Sequence, residues 1–174
     1  MSAPTGQQDR DAGSPAKAPT EANAETNPGA DLHYRALERL YGSAPVNDLF
    51  QSELAIMGEG LARVEFQVTE QSYHAAGAAH GTIYFKMLDD AAFYAANTLV
   101  TDRFLLTTSF NLHFTKPVRV GPVTAEGHWV SGRRRVFVAE SRLIDSEGDE
   151  IGRGTGTFMR SHIPLSGLAG YGSR

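Results

Sequence analysis

The sequence contains no cysteine among its 174 residues. This absence excludes a disulfide framework, a cysteine-ligated metal and a thiol nucleophile. The chain also has no apolar run that approaches the roughly 18 residues of a membrane-spanning helix. Its start, MSAPTGQQDR, lacks an apolar stretch after a basic beginning, so it does not resemble a secretory signal. We therefore expect a cytoplasmic protein without a membrane partner.

Large apolar side chains are missing from the first part of the chain. Between Ser2 and Asp31 there is no Val, Ile, Leu, Met, Phe, Trp or Tyr, and four of the eight prolines lie there. Such a segment cannot bury a core, so residues 1–31 are predicted to form a disordered tail. One folded domain is predicted at residues 32–163, followed by a flexible C-terminal tail at residues 164–174. The charges beyond the first tail are balanced, so no nucleic-acid partner is expected.

Hydrophobic periodicity predicts the order of helices and strands. Residues 33–41 have apolar side chains at helical spacing, and residues 61–68 alternate as in a strand. Residues 82–98 form an apolar stretch without Pro or Gly, which is typical of a central helix. Four more strands are predicted, at residues 107–118, 123–131, 135–145 and 150–160. One central helix and strands joined by tight turns predict an α+β fold with an antiparallel sheet.

Two adjacent aspartates lie in the predicted central helix. At 100° per residue, Asp89 falls in the middle of an apolar stripe, whereas Asp90 falls on the polar side near Lys86. We therefore predict that Asp90 is an ordinary surface acid paired with Lys86. A carboxylate in an apolar stripe is costly unless it is partnered or protonated, so Asp89 is either a satisfied structural group or a tuned catalytic one.

The residues at the start of this helix bear on that choice. Gly81 lies where free N–H groups and the positive end of the helix dipole can hold an oxygen that becomes anionic. Taken alone, Gly81 fits a tight turn, and His80 fits a loop histidine that hydrogen-bonds to the backbone. Together with a poorly solvated carboxylate two turns later, they indicate hydrolysis of an activated carbonyl.

Other patterns carry less chemistry. The six histidines lack the paired spacing of a metal site, so no metal and no cofactor are expected. Gly152, Gly154 and Gly156 alternate along a predicted strand, where we expect them to permit the close approach of another backbone.

The run His80-Gly81, then Phe85 and Asp89, followed by small residues and Asn97, resembles the signature of hotdog-fold acyl-CoA thioesterases of the phenylacetate-degradation type. The resemblance covers about residues 45–161. It implies the hotdog fold, a long central helix wrapped by an antiparallel β-sheet. It also implies an acyl-CoA substrate and a homodimer or homotetramer, because sites of this family form between two chains.

The resemblance also implies roles for individual residues. Asp89 corresponds to the general base or nucleophile, and Gly81 to the residue whose backbone N–H polarises the thioester carbonyl. Thr107 falls where the family often has a Ser or Thr that orients the acid. His80 and Thr82 would contact the substrate.

Two positions depart from the family pattern. Thr82 replaces the second glycine of the usual H-G-G, and His74 stands where an Asn commonly holds the water or the thioester. An imidazole can also hold water, although His74 could instead be a loop residue without a catalytic role. The departures leave a non-catalytic acyl-CoA-binding or sensing protein as the alternative. A dehydratase is a further alternative within the hotdog fold.

Overall fold

The computed structural model describes residues 28–172. Its three α-helices are α1 (Pro28–Gly42), α2 (Val46–Phe50) and α3 (Gly81–Asn97). Its six strands are β1 (Glu53–Gly58), β2 (Leu61–Val68), β3 (Arg103–Phe114), β4 (Gly121–Ser131), β5 (Val136–Asp145) and β6 (Glu150–Pro164). None of the helices in residues 28–172 is long and apolar enough to span a membrane.

All six strands form one antiparallel sheet in the order β1-β2-β4-β5-β6-β3. The helix α3 lies across one face of this sheet and packs on β4, β5, β2 and β6. At the sheet edge, α1 packs on β1. The predicted α+β architecture, a long central helix wrapped by an antiparallel sheet, is confirmed.

The helix α3 comes into backbone contact with the sheet at Gly127. A methyl carbon on Gly127 would lie 2.1 Å from the carbonyl oxygen of Ala91 and 2.7 Å from the amide nitrogen of Ala92. Only glycine leaves room for a helix backbone at this distance. The facing surface of α3 consists of alanines, which are fully buried at positions 91, 92, 95 and 96.

The glycines of β6 serve a different contact from the one predicted. A methyl carbon on Gly154 would lie 2.4 Å from the ring of Phe110, and one on Gly152 would lie 3.1 Å from the ring of Tyr84. Aromatic rings therefore make the closest contacts with this strand, and the backbone oxygen of Asn111 lies 3.2 Å from the methyl carbon at Gly154. The closest backbone contact among these glycines is the one at Gly127 on β4.

The two ends of the domain differ from the predicted boundaries. Residues 1–27 of the predicted disordered tail lie outside the described residues, whereas residues 28–31 belong to α1. The predicted flexible C-terminal tail is attached to the domain at several of its described residues, and Pro164 is the last residue of β6. Leu165 is fully buried, and the Tyr171 hydroxyl lies 2.7 Å from His33 Nδ1. The apolar side chains of this short segment hold it against α1 and the sheet.

Replacing Gly127 by alanine should destabilise the protein by about 3 kcal/mol, because the added methyl group meets backbone that no side-chain movement can relieve. Urea unfolding would measure the loss. The control is Gly42→Ala, since among the described residues no atom lies within 4 Å of a methyl carbon at that position. A loss below about 1 kcal/mol at Gly127 would show that α3 can move away from the sheet without cost.

Candidate active site

Asp89 lies on α3, half-buried, and contacts β3 through Thr107. The Thr107 hydroxyl donates to the carboxylate, with Oγ1 at 3.1 Å from Oδ1 and 3.3 Å from Oδ2. The structure therefore brings together the predicted acid and the residue predicted to orient it.

A β-bulge in β3 places Thr107 on the same side as α3. Thr107 pairs with Phe158 and Ser109 with Thr157, so Thr108 is an extra residue without a partner on β6. Because side chains alternate between the two faces of a strand, the extra residue shifts the alternation by one. Beyond the bulge, Phe110 contacts the ring of Phe85 on α3, and Thr107 before the bulge also faces α3.

The environment of Asp89 favours its protonated form. Burial away from water, and to a lesser extent the negative charge of Asp90, raise the pKa of the Asp89 carboxyl to about 6. The hydrogen bond from Thr107 and the positive charge of Lys86 lower the pKa and oppose these effects. Such a carboxyl exchanges a proton near neutral pH, as a general base must.

Asp90 is not the surface acid that the helical pattern predicted. Its side chain is only 19% exposed, and that of its partner Lys86 is only 12% exposed. The predicted contact between the two is present, since Lys86 Nζ donates to Asp90 Oδ2. Lys86 Nζ also donates to Asn47 Oδ1 at 2.7 Å and to the Tyr41 hydroxyl at 3.3 Å. The pair is buried because α1 and α2 cover this side of α3.

A cavity of about 270 Å³ opens beside Asp89. Its walls come from the turn between α1 and α2, from α3 and from β3. The side chains that line it include the acid and its partner together with a mixed set of apolar and polar groups: Tyr41, Ala44, Val46, Asn47, Lys86, Asp89, Asp90, Phe93, Tyr94, Phe104, Leu106 and Thr107.

Gly81 and Thr82 are the first two residues of α3, and His80 directly precedes them. His80 Nδ1 accepts a hydrogen bond from the Thr82 backbone N–H at 3.2 Å and lies 3.1 Å from the Thr82 hydroxyl oxygen. His80 is thus the N-cap of the helix, in agreement with the simpler of its two interpretations.

His74 and Gly81 border a second cavity, of about 380 Å³. His74 is exposed, and its Nδ1 accepts a hydrogen bond from the Ala76 backbone N–H at 3.0 Å. The structure brings His74 close to Gly81 but not to Asp89 and Thr107. Along α3, the eight residues from Gly81 to Asp89 correspond to about 12 Å.

A cluster of three carboxylates elsewhere could hold a metal ion on grounds of spacing alone. Asp145, Glu147 and Asp149 lie close together on the turn between β5 and β6. Lys116 Nζ already lies among them, at 2.9, 3.3 and 2.7 Å from the three carboxylates. The lysine ammonium already contacts all three carboxylates, so the cluster carries no metal proposal.

The comparisons with known proteins agree with this architecture. Residues 76–151 match the family model described as the thioesterase superfamily. The chain is 27% identical over 107 residues to an esterase-named protein of Saccharolobus solfataricus, an alignment that covers 62% of this chain and 71% of that protein.

Solved structures show the same fold. The PaaI protein of the E. coli phenylacetic acid degradation operon is similar with a TM-score of 0.71 and 18% identity, covering 78% of this chain and 97% of that one. A Streptococcus mutans protein in a structure bound to acetyl-CoA is similar with a TM-score of 0.58 and 19% identity, covering 63% of this chain and 88% of that one.

The class of the protein follows from these findings. Its fold is the hotdog fold, with one long helix against an antiparallel sheet. The hotdog fold that the resemblance implied is confirmed, and residues 76–151 are similar to the thioesterase superfamily.

Replacing Asp90 by asparagine should cost about 2 kcal/mol of stability, because the mostly buried ammonium of Lys86 would lose its counter-charge. Chemical denaturation would measure this loss. The matched control is Glu59→Gln, which breaks an ion pair with Arg133 in which both side chains are 61% exposed. That control should cost less than about 1 kcal/mol. Equal effects of the two substitutions would contradict the buried pair.

Proposed function

We propose that the protein is an acyl-CoA thioesterase that hydrolyses a thioester to a free carboxylic acid and CoA. The observation that carries the proposal is Asp89, a half-buried carboxyl that Thr107 orients beside a cavity. The acetyl-CoA bound by the Streptococcus mutans protein of the same fold supports an acyl-CoA as the substrate.

In the proposed reaction, Asp89 acts in one of two ways. As a general base, it takes a proton from water while the water oxygen bonds to the thioester carbon. As a nucleophile, its own oxygen bonds to that carbon, and water then hydrolyses the resulting anhydride. In both routes the carbon–sulfur bond breaks, the CoA thiolate takes up a proton, and the acid is released. The Gly81 N–H would hold the carbonyl oxygen as it becomes negative.

These roles require two chains. A thioester carbonyl spans little more than one bond, whereas Gly81 and Asp89 of one chain are separated by about 12 Å along α3. One substrate carbonyl cannot contact both groups of the same helix. The proposal therefore places the Gly81 N–H of one protomer opposite Asp89 of its partner.

The edge strand β3 is the surface that we propose for the homodimer. Its outer edge has no strand beside it among the described residues, and it is 12 residues long. Apolar side chains are exposed along it and on the adjoining face of α3, at Leu106, Phe114 and Phe85. A long unpaired edge flanked by apolar groups favours pairing with a second copy. Two such dimers could form a homotetramer.

Light scattering should therefore show at least a dimer. Leu106→Lys, which introduces a charge at this exposed edge position, should weaken the dimer. Since Leu106 also lines the cavity, the readout is dilution: activity per chain should fall more steeply on dilution than in the wild type. Val120→Lys is the control, since Val120 is similarly exposed but lies outside β3. An active monomer at the assay concentration would rule out a site shared by two chains.

The second test removes the proposed acid. Asp89→Asn should lower turnover of acyl-CoA substrates by about a hundredfold or more, measured as release of free thiol across a panel of acyl groups. Asp31→Asn, at an exposed position on α1, is the control and should leave turnover unchanged. Full activity of folded Asp89→Asn would overturn the assignment.

The dependence on pH provides a further readout of the same residue. The kcat/KM of the wild type should rise with pH through an ionisation near 6, where Asp89 loses its proton. Because the folded-state pKa lies above the ordinary value of 3.8, the charged carboxylate disfavours folding, and its effect grows between about pH 4 and pH 6. Asp89→Asn lacks this charge. It should therefore be at least as stable as the wild type at pH 7, which separates loss of chemistry from loss of fold.

His74 distinguishes the enzyme from its alternative. If this imidazole holds the water, His74→Ala should reduce turnover, and His74→Asn should largely restore it. Binding of acyl-CoA without turnover, by the wild type and across short, long and aromatic acyl groups, would instead support a non-catalytic acyl-CoA-binding or sensing protein.

A further inference from the structure

We infer that the turn between α1 and α2 is the end wall of the acyl-binding cavity, and that Lys86 is the positioning residue that fixes this wall and so restricts the enzyme to compact acyl groups. The inference rests on the proposed thioesterase function.

The residues that line the cavity beside Asp89 fit such a role. Asp89 and Thr107 lie on one side of it, so an acyl group whose carbonyl reaches Asp89 extends into the same space. The rings of Phe93 and Phe104 pack against each other, with their centres 5.0 Å apart, and give the cavity an apolar side. Ala44, in the turn between the first two helices, and Val46, the first residue of α2 directly after that turn, line the cavity as well.

Asn47, the second residue of α2, connects the end of this turn to α3 by hydrogen bonds. Asn47 accepts from Lys86 Nζ at 2.7 Å through Oδ1, and its Nδ2 donates to the Tyr41 carbonyl oxygen at 2.6 Å. Asn47 is buried, so both bonds are shielded from water. Lys86 is itself held by Asp90 and lies 4.9 Å from the centre of the Tyr41 ring. Such contacts to a charged group are stronger than neutral hydrogen bonds.

The size of the cavity sets the class of substrate. A volume of about 270 Å³ corresponds to roughly nine groups of the size of a water molecule, at about 30 Å³ each. Short or medium acyl chains, or one ring, fill this space. Longer chains would have to displace the turn, which the Lys86–Asn47 bond opposes.

The test compares kcat/KM for straight-chain acyl-CoA substrates of increasing length in four proteins. The wild type should lose efficiency once the chain exceeds the cavity. Val46→Ala should move this limit to longer chains, and Val46→Phe should move it to shorter ones. Each additional buried methylene is expected to change kcat/KM by about fourfold. Val130→Phe is the matched control, because Val130 and Val46 are both 45% exposed, and Val130 lies on β4 away from the cavity.

Lys86 is tested through Asn47, because substituting Lys86 would also leave Asp90 unpaired and could unfold the protein. Asn47→Ala removes the bond between Lys86 and α2 and leaves the Lys86–Asp90 pair in place. The ratio of the KM for longer acyl chains to the KM for short ones should fall at least threefold. A role of Asn47 in stability alone would change the activity on all acyl chains by the same factor and leave this ratio unchanged.

The two levels of the proposal fail in different ways. If the wild type hydrolyses no acyl-CoA, the proposed function is wrong. If the wild type is active but the chain-length limit is the same in Val46→Ala, Val46→Phe and Asn47→Ala, the thioesterase assignment stands and the wall is wrong. If Val130→Phe shifts the chain-length limit as much as Val46→Phe does, the inference that this segment forms the end wall of the cavity is also wrong.

Discussion

The backbone contact between α3 and the sheet at Gly127 is the constraint on which the rest of the structure depends. A helix normally rests on a sheet through its side chains, but here the Ala91 carbonyl lies where a side chain of β4 would be. The paired residue on the next strand, Ser141, donates a hydrogen bond to the Leu88 carbonyl oxygen at 2.7 Å. The helix is thereby held close to the sheet at two adjacent positions, and the strands can wrap around it.

The two aspartates of this helix lose solvent on different sides. Asp89 faces β3, where Thr107 contacts it, whereas Asp90 lies under the cover of α1 and α2. Each then needs a partner from another element. Asp90 receives an ammonium group from Lys86, whereas Asp89 receives only the hydroxyl of Thr107. Burial raises the pKa of both carboxyls, and that of Asp89, whose partner is a hydroxyl rather than a full positive charge, rises to about 6.

The sequence predicted those parts of the fold that depend on local patterns. Strand β2 has the predicted bounds, and α3 differs by one residue at each end, because long periodic segments carry a strong signal. The short elements α2 and β1 were missed, since five or six residues show too little periodicity. The burial of Asp90 was missed as well. Tyr41 and Asn47, which are about 40 residues earlier in the chain, shield the Lys86–Asp90 pair from water. The spacing of residues within α3 cannot indicate a contact with so distant a part of the sequence.

The position of Thr107 illustrates the same limit at the candidate site. Strict alternation from Phe110 places position 107 on the face opposite the helix, and only the extra residue Thr108 returns it to Asp89. The resemblance to a known family selected Thr107, but the pattern of the strand alone would have rejected it. The bulge and the buried helix therefore act together: the helix supplies a carboxyl that has lost its water, and the irregular strand supplies the one hydrogen bond that orients it. Neither feature would form a site without the other. A buried acid that nothing orients lacks the geometry for the proposed reaction, and an oriented acid that is exposed to water lacks the proton affinity.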